Sequence, residues 1–300
     1  MIFFSAEVLA LLTALAFAVS DTLMGAGVRT STPYTGAVAL TFLVGVCYAA
    51  AMPWVLPGLE LNAAGVFWFL LVGISQLGLG MFFFYLSMRR VGVARAAVIS
   101  ASAPVFSVAL AVLFLGERPT VFIYIGTVTV VLGVMVSAGR KQGTGEGRRM
   151  SPADLAFPLL TAFLFGVSPL FRKVGLGSIA SIPLASALAG MGGLATLLLL
   201  GPVFPRPERF VFAPRSARLF FAGGLVMVGA QATFFLALQS GPVSVVVPLI
   251  FVKPVFVAVI VFLTGRGREG RGGEREKMGA GVYLGAALMA AGAWLLLGFR

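Results

Sequence analysis

Ten stretches of mainly apolar residues run along the chain, separated by short segments that hold most of its charge. They cover approximately residues 6–27, 35–56, 66–88, 93–115, 120–138, 153–175, 181–202, 217–238, 243–264 and 278–297. About 20 such residues in a helix cross a hydrocarbon core of about 30 Å, so each stretch is predicted to be a membrane-spanning helix. The first is read as a span and not as a signal peptide. No Lys or Arg precedes it, and Glu7 stands where a basic flank belongs.

Composition agrees with this pattern. Of the 300 residues, 59% are hydrophobic and 11% charged, and mean hydropathy is +1.04. Soluble domains carry about 25% charged residues, so the polar surface here is too small to cover a water-soluble globule. The expected class is an all-α, polytopic membrane protein. The absence of histidine removes His-based triads and zinc motifs, and Cys47 alone provides neither a disulfide nor a thiolate cluster. No catalytic residue, metal or cofactor is expected. The net charge of +12 suits basic loops facing a cytoplasm and anionic headgroups, and nucleic acid is not an expected partner.

The two longest loops, Arg140–Pro152 and Gly265–Lys277, are rich in Gly, Arg and Glu, a composition that stays solvated. The first is predicted to link two halves, residues 1–139 and 153–300. Those halves resemble each other. At an offset of 150, Ala103-Pro104-Val105-Phe106 falls on Lys253-Pro254-Val255-Phe256, Leu86 on Leu236 and Val93 on Val243. At an offset of 148, Thr13-Ala14 falls on Thr161-Ala162 and Val19-Ser20 on Val167-Ser168. After a longer basic loop, Gly126 and Gly133 fall on Gly285 and Gly292.

Five helices per repeat is an odd number, so the second copy must insert upside down. The charges agree. In the first half Arg29 follows helix 1, and Arg89, Arg90 and Arg95 surround the loop after helix 3. In the second half the basic clusters instead follow helix 7 (Arg206, Arg209, Arg215, Arg218) and helix 9 (Arg266, Arg268, Arg271, Arg275, Lys277). The bias moves to the other set of loops, as inverted repeats require. Loops after odd-numbered helices hold most of the Lys and Arg, which favours both termini outside.

The stretch Phe84-Tyr85-Leu86-Ser87-Met88-Arg89-Arg90-Val91-Gly92-Val93-Ala94-Arg95-Ala96-Ala97 precedes Ala103-Pro104-Val105-Phe106, Leu115-Gly116-Glu117-Arg118 and Gly126. It resembles the drug/metabolite transporter superfamily, specifically its EamA-type ten-helix members. The likeness covers nearly the whole chain and is clearer in the first half. In the second, Glu276 is matched to Glu117. The resemblance implies a secondary transporter with alternating access. Helices 1–4 and 6–9 would surround a central substrate cavity, with helices 5 and 10 to one side. It also implies both termini in the cytoplasm, against the loop charges, and export of amino acids or other small metabolites by many members.

Charge inside a span costs about 2.5–3.5 kcal/mol at a helix centre on insertion scales. Lys253 lies near the middle of helix 9, beside Pro254, which has no N–H to offer the carbonyl of Ile250. It reads as a cation for a substrate carboxylate or phosphate, or as a titrating group. A buried salt bridge or bonds to freed carbonyls would be its structural roles. Asp21, in helix 1, could pair with Lys253, accept a substrate ammonium or take a proton, or be hydrated near Arg29. Together the two could hold a zwitterion.

Gln76 and Tyr85 in helix 3, Gln231 in helix 8, and Ser100 and Ser102 in helix 4 complete the candidate substrate contacts. Ser100, Ala103, Pro104 and Ser107 share one helical face, which suits either lining a cavity or close helix packing. Pro104 and Pro254 suggest paired kinks. One or two residues of Phe82-Phe83-Phe84-Tyr85 could face the cavity, with packing the structural alternative. Trp54, Trp68 and Trp294 suit interfacial anchoring. Arg172 and Lys173 read as topology determinants closing helix 6, or as guards of a cavity mouth. Glu117 reads as structural, at the start of helix 5.

Glycine-rich Gly265–Gly273 lacks GxxxxGK[ST], so primary pumping is not expected. The sequence therefore predicts an inner-membrane exporter of a small polar metabolite, an amino acid or related carboxylate. Organic-anion or phosphate-ester exchange and flipping of a lipid-linked substrate are the alternatives. A non-transporting scaffold would instead have a dry, filled centre. The partners implied are a small-molecule substrate and membrane lipids, with a proton the candidate for coupling, in a monomer or homodimer.

Overall fold

A computed structural model describes residues 5–54, 62–91, 96, 99–139, 152–203, 210–211, 213–264 and 280–298. The linker at 140–151, the basic segment 265–277, and the residues Val93, Arg95, Arg206, Arg209 and Glu276 lie outside the described residues. So do the side chains of Trp54 and Arg89.

All regular structure among the described residues is helical. The first five spans are α1 (Ala6–Val28), α2 (Pro33–Ala50), α3 (Ala63–Val72, Gly73–Gly80 and Met81–Val91, unbroken), α4 (Ala103–Leu115) and α5 (Val121–Gly139). They are followed by α6 (Pro152–Leu176), α7 (Ile182–Leu200), α8 (Pro214–Ser240), α9 (Val243–Ile250 and Lys253–Thr264) and α10 (Ala280–Gly298). Six are long and apolar enough to cross a membrane by length and composition: α1, α2, α3, α6, α7 and α8. Local chemistry sets the ends. Thr32 accepts the Thr35 N–H at 3.1 Å ahead of Pro33 in α2, and Ser181 precedes Pro183 in α7 in the same way. Gly116, at φ 65°, terminates α4 in the left-handed conformation that glycine adopts without strain.

Packing runs mainly between the halves, and the pairings map onto one another when the halves are exchanged. Helix α1 packs on α8 as α6 packs on α3, and α9 packs on α1 as α4 packs on α6. Helix α2 meets α7, and α5 meets α10. Repeat-equivalent serines carry the same relation in detail. Ser20 of α1 donates to the Gly223 carbonyl of α8 at 2.9 Å, and Ser168 of α6 donates to Gln76 of α3 at 2.9 Å.

Helices α5 and α10 form a separate pair to one side, with lipid-facing Val121, Val128, Leu132, Tyr283 and Leu284 exposed. A Cβ on Gly126 would lie 3.0 Å from the Gly292 carbonyl, and one on Gly133 would lie 2.8 Å from that of Gly285. Gly126 is the repeat counterpart of Gly285, and Gly133 of Gly292. The contacts are thus crossed, as they must be for two copies that run antiparallel. The repeats are inverted.

Helices α4 and α9 are interrupted, where the sequence predicts kinks. Residues 101–102 and 251–252 are turns, each followed by a new helical start at Ala103-Pro104 or Lys253-Pro254. The bonding is repeated bond for bond. Ser102 N–H reaches the Ile99 carbonyl at 3.2 Å, and Val252 N–H reaches that of Leu249 at 3.2 Å. Val105 N–H then reaches Ser102 at 3.0 Å, and Val255 N–H reaches Val252 at 2.9 Å. Proline is well placed in a first helical turn, where its missing N–H would have no helical acceptor, so it favours a restart over a bend.

Two side chains named at the helix ends do work other than that expected. Glu117 does not cap α5. Its two carboxylate oxygens accept the N–H groups of Val243 and Ser244, at 2.8 and 2.9 Å, at the start of α9. Lys173 donates to the carbonyls of Leu238 and Gly241, at 2.5 and 2.9 Å, at the end of α8. Each places its charge where the helix dipole favours it.

Candidate functional site

The restart of α9 delivers Lys253 to the centre of the helix assembly. Its Nζ lies 2.7 Å from Asp21 Oδ2 of α1, and the two side chains are 22% and 12% exposed. Asp21 is therefore an ion-pair partner and not a hydrated group beside Arg29. The Lys253 ammonium also sits 5.4 Å from the centroid of Phe84 and 6.0 Å from that of Phe251. Aromatic faces offset part of the cost of removing the cation from water.

The pair lines a cavity of about 40 Å³ with Phe17, Gln76, Phe165, Pro169, Phe234 and Phe251 among its walls. Helices α1, α3, α6, α8 and α9 all contribute. A second cavity of similar size also touches Lys253, walled by Phe84, Ser100, Phe165 and Pro254. These volumes hold water molecules and not a metabolite.

Behind Gln76 lies a second polar centre that the sequence reading did not foresee. Arg172 of α6 does not close its helix at the interface. It is fully buried. Its Nε and Nη2 donate to Gln76 Oε1 at 3.2 and 2.6 Å, and Nη2 also donates to Gln231 Oε1 at 2.7 Å. The rings of Phe234 and Phe235 lie against the guanidinium, with centroids 4.7 and 4.3 Å from Cζ. Ser168, one helical turn before Arg172, completes the set on Gln76. Gln76 and Phe234 thus face the cavity on one side and Arg172 on the other.

The other candidates separate. Gln231 is buried on Arg172 and does not line either cavity by Lys253. Tyr85 is fully buried beside Phe84, and its hydroxyl has no hydrogen-bond partner among the described residues. Ser100 lines the second cavity. Ser102 does not. Its hydroxyl donates to the Ile99 carbonyl at 2.7 Å and secures the break in α4. Ser107 is buried where Gly166 of α6 closes on α4. Phe84 is the member of the aromatic run that reaches a cavity. Trp294 is exposed on α10, whereas Trp68 packs on Phe171 with centroids 5.7 Å apart.

A larger groove of about 630 Å³ lies between α1 and α8, walled by Thr22, Leu23, Ala26, Arg215, Arg218 and Leu219. It shares no residue with the cavities at Lys253. No group of three or more potential metal ligands occurs among the described residues.

Asp21 and Lys253 also depart from the repeat. At the offset of 148 that relates Ser20 to Ser168, Asp21 corresponds to Pro169, and at the offset of 150 Lys253 corresponds to Ala103. The central charges are supplied by one copy of each helix pair.

No curated protein matches the chain. A solved structure described only as a crystal structure of a protein is 18% identical and superposes with a TM-score of 0.75, over 99% of this chain and 100% of that one. At that identity the likeness concerns the fold alone. The model of the EamA-like transporter family matches residues 4–139, the first of the two repeats described above. Over this repeat the chain is similar to the EamA-like transporter family, within the drug/metabolite transporter superfamily.

Proposed function

We propose that this membrane transporter is a secondary exporter of a small zwitterionic metabolite, an amino acid or a related carboxylate, in the cell inner membrane. The observation that carries the reading is the Lys253–Asp21 pair, set in a small cavity between the halves at the point where α9 is interrupted. Separating the pair without replacement would leave two bare charges in a poorly solvated site, which is costly. A zwitterion replaces both partners at once: its carboxylate takes Lys253 and its ammonium takes Asp21. Substrate entry then opens the pair, and substrate release lets it close. A proton on Asp21 can play the ammonium's part, which gives proton coupling a defined place.

The same exchange disfavours phosphate esters, which bring two negative charges to one lysine and leave Asp21 unmatched. The groove between α1 and α8 has no wall in common with the pair, which gives flipping of a lipid-linked substrate no support at Lys253. Ligand-dependent thermal stability of the purified protein tests the reading, since binding to the folded state adds RT ln(1 + [L]/Kd). Amino acids are expected to raise Tm, and their amides and the Lys253→Met variant are expected to show no rise. Equal shifts with acids and amides would overturn the assignment.

A further inference from the structure

Arg172 carries a charge that no acidic side chain pairs among the described residues. Lys253 and Asp21 neutralise each other. Arg172 is fully buried, and among the described residues its hydrogen-bond acceptors are the neutral amide oxygens of Gln76 and Gln231. Two donors remain unmet. Arg172 Nη1 and Gln231 Nε2 are buried and have no hydrogen-bond partner among the described residues. They belong to groups already joined by the bond from Nη2 to Gln231 Oε1.

The surroundings restrict what can approach. Phe234 and Phe235 place their rings against the guanidinium, and Gln76 occupies the edge formed by Nε and Nη2. The Nη1 edge is the part left without an acceptor. A cation flanked by an unpaired N–H on its own group and another on a neighbouring amide calls for an acceptor bearing negative charge. One unbalanced positive charge calls for one negative charge. Charge-assisted bonds of this kind are short and strong, and a buried cation stripped of any counter-charge is destabilising.

We propose that Arg172 and Gln231 form a buried site for a small monovalent anion, chloride or a carboxylate, bound by Arg172 Nη1 and Gln231 Nε2. The site lies one side-chain layer behind the Lys253 cavity, separated from it by Gln76 and Phe234. It does not depend on Lys253 contacting a substrate. Gln76 stands in the π-helical segment Gly73–Gly80, a geometry frequent at functional sites, so a rearrangement of that segment would connect the two centres.

The test is thermal unfolding of the purified full chain at constant ionic strength. Sodium gluconate, too bulky for the site, is replaced stepwise by sodium chloride or by sodium acetate. The wild-type protein and Lys253→Met are expected to show a saturable rise in Tm with at least one of the two ions. Gln231→Glu supplies a resident carboxylate to Arg172. It is expected to raise Tm in gluconate and to abolish the anion response, and Arg172→Gln is expected to abolish the response as well. Saturation by chloride assigns a resident inorganic ion, and saturation by acetate alone assigns a carboxylate. A flat wild-type response would overturn the proposal. A response kept in both Gln231→Glu and Arg172→Gln but lost in Lys253→Met would also overturn it, while supporting anion binding at the ion pair.

Discussion

Lys253 and Ala103 stand at equivalent points of the two repeats, each the first residue after a break in its helix, and only Lys253 carries a charge. Because Ala103 starts its segment without a charged side chain, the break does not need the ammonium. The charge is an addition to the scaffold. Its partner Asp21 likewise lines a cavity that its own counterpart, Pro169, also lines.

Removing one member of the pair is expected to cost more than removing both. Lys253→Met leaves Asp21 unmatched and should lower stability by about 3 kcal/mol, the low end of the range for a broken buried pair. Asp21→Asn should act similarly. The double variant Asp21→Asn/Lys253→Met should recover most of that loss, and all three should lose substrate-driven counterflow in proteoliposomes. Thermal unfolding of the four proteins gives the coupling energy. Additive losses would mean that the two charges do not act on each other.

The crossed glycine contacts between α5 and α10 make a contrasting pair of expectations. Gly133→Val brings a branched side chain to the Gly285 carbonyl and Met289, where a Cβ alone already lies 2.7–2.8 Å from heavy atoms. It should lower the yield of folded protein and its Tm. Gly25 and Gly229, in α1 and α8, have nothing within 4 Å of the same position. Alanine at either should be tolerated or should stabilise by about 0.5–1 kcal/mol through its better helix propensity. Size-exclusion profiles and melting curves distinguish the outcomes.

Glu117 ties the end of α4 to the start of α9 through the N–H groups of Val243 and Ser244. Glu117→Ala should destabilise by about 1–2 kcal/mol, as expected for a lost N-terminal cap. Glu117→Gln keeps an acceptor and should lose less. Both should retain ligand-dependent stabilisation, because neither touches Lys253. Hydrogen exchange at Val243 and Ser244 should rise more in the alanine variant.

The apolar runs placed the spans, because a helix crossing a bilayer must be apolar for most of its length. Loop arginines placed the inversion, since basic loops stay on one side. The interruptions at 101–102 and 251–252 were only partly legible: Pro104 and Pro254 marked the places, but whether a helix bends or restarts depends on neighbours such as Ser102. Arg172 was misread for a different reason. Its position near the end of a predicted span suggested an interface, yet depth depends on what surrounds a residue. Its burial comes from Gln76, Gln231, Phe234 and Phe235, which lie far from it in sequence. Glu117 likewise acts across 126 residues, beyond the reach of any local capping pattern.

The break in α9 is the feature that positions Lys253, so closing it should separate transport from stability. Proline at 254 withholds the N–H that would bond to the Ile250 carbonyl in a continuous helix. Pro254→Ala restores that donor and permits Val243–Thr264 to form one helix. A continuous α9 would rotate Lys253 relative to Asp21 across the cavity and lengthen the 2.7 Å ion pair. Melting temperature should fall by less than in Lys253→Met, because the added backbone bond offsets part of the cost of lengthening the ion pair, while counterflow should fall sharply. Pro104→Ala, at the equivalent break in α4, moves no charged group and should reduce transport less. A Pro254→Ala protein that transports at the wild-type rate would show that the interruption is not needed to place Lys253.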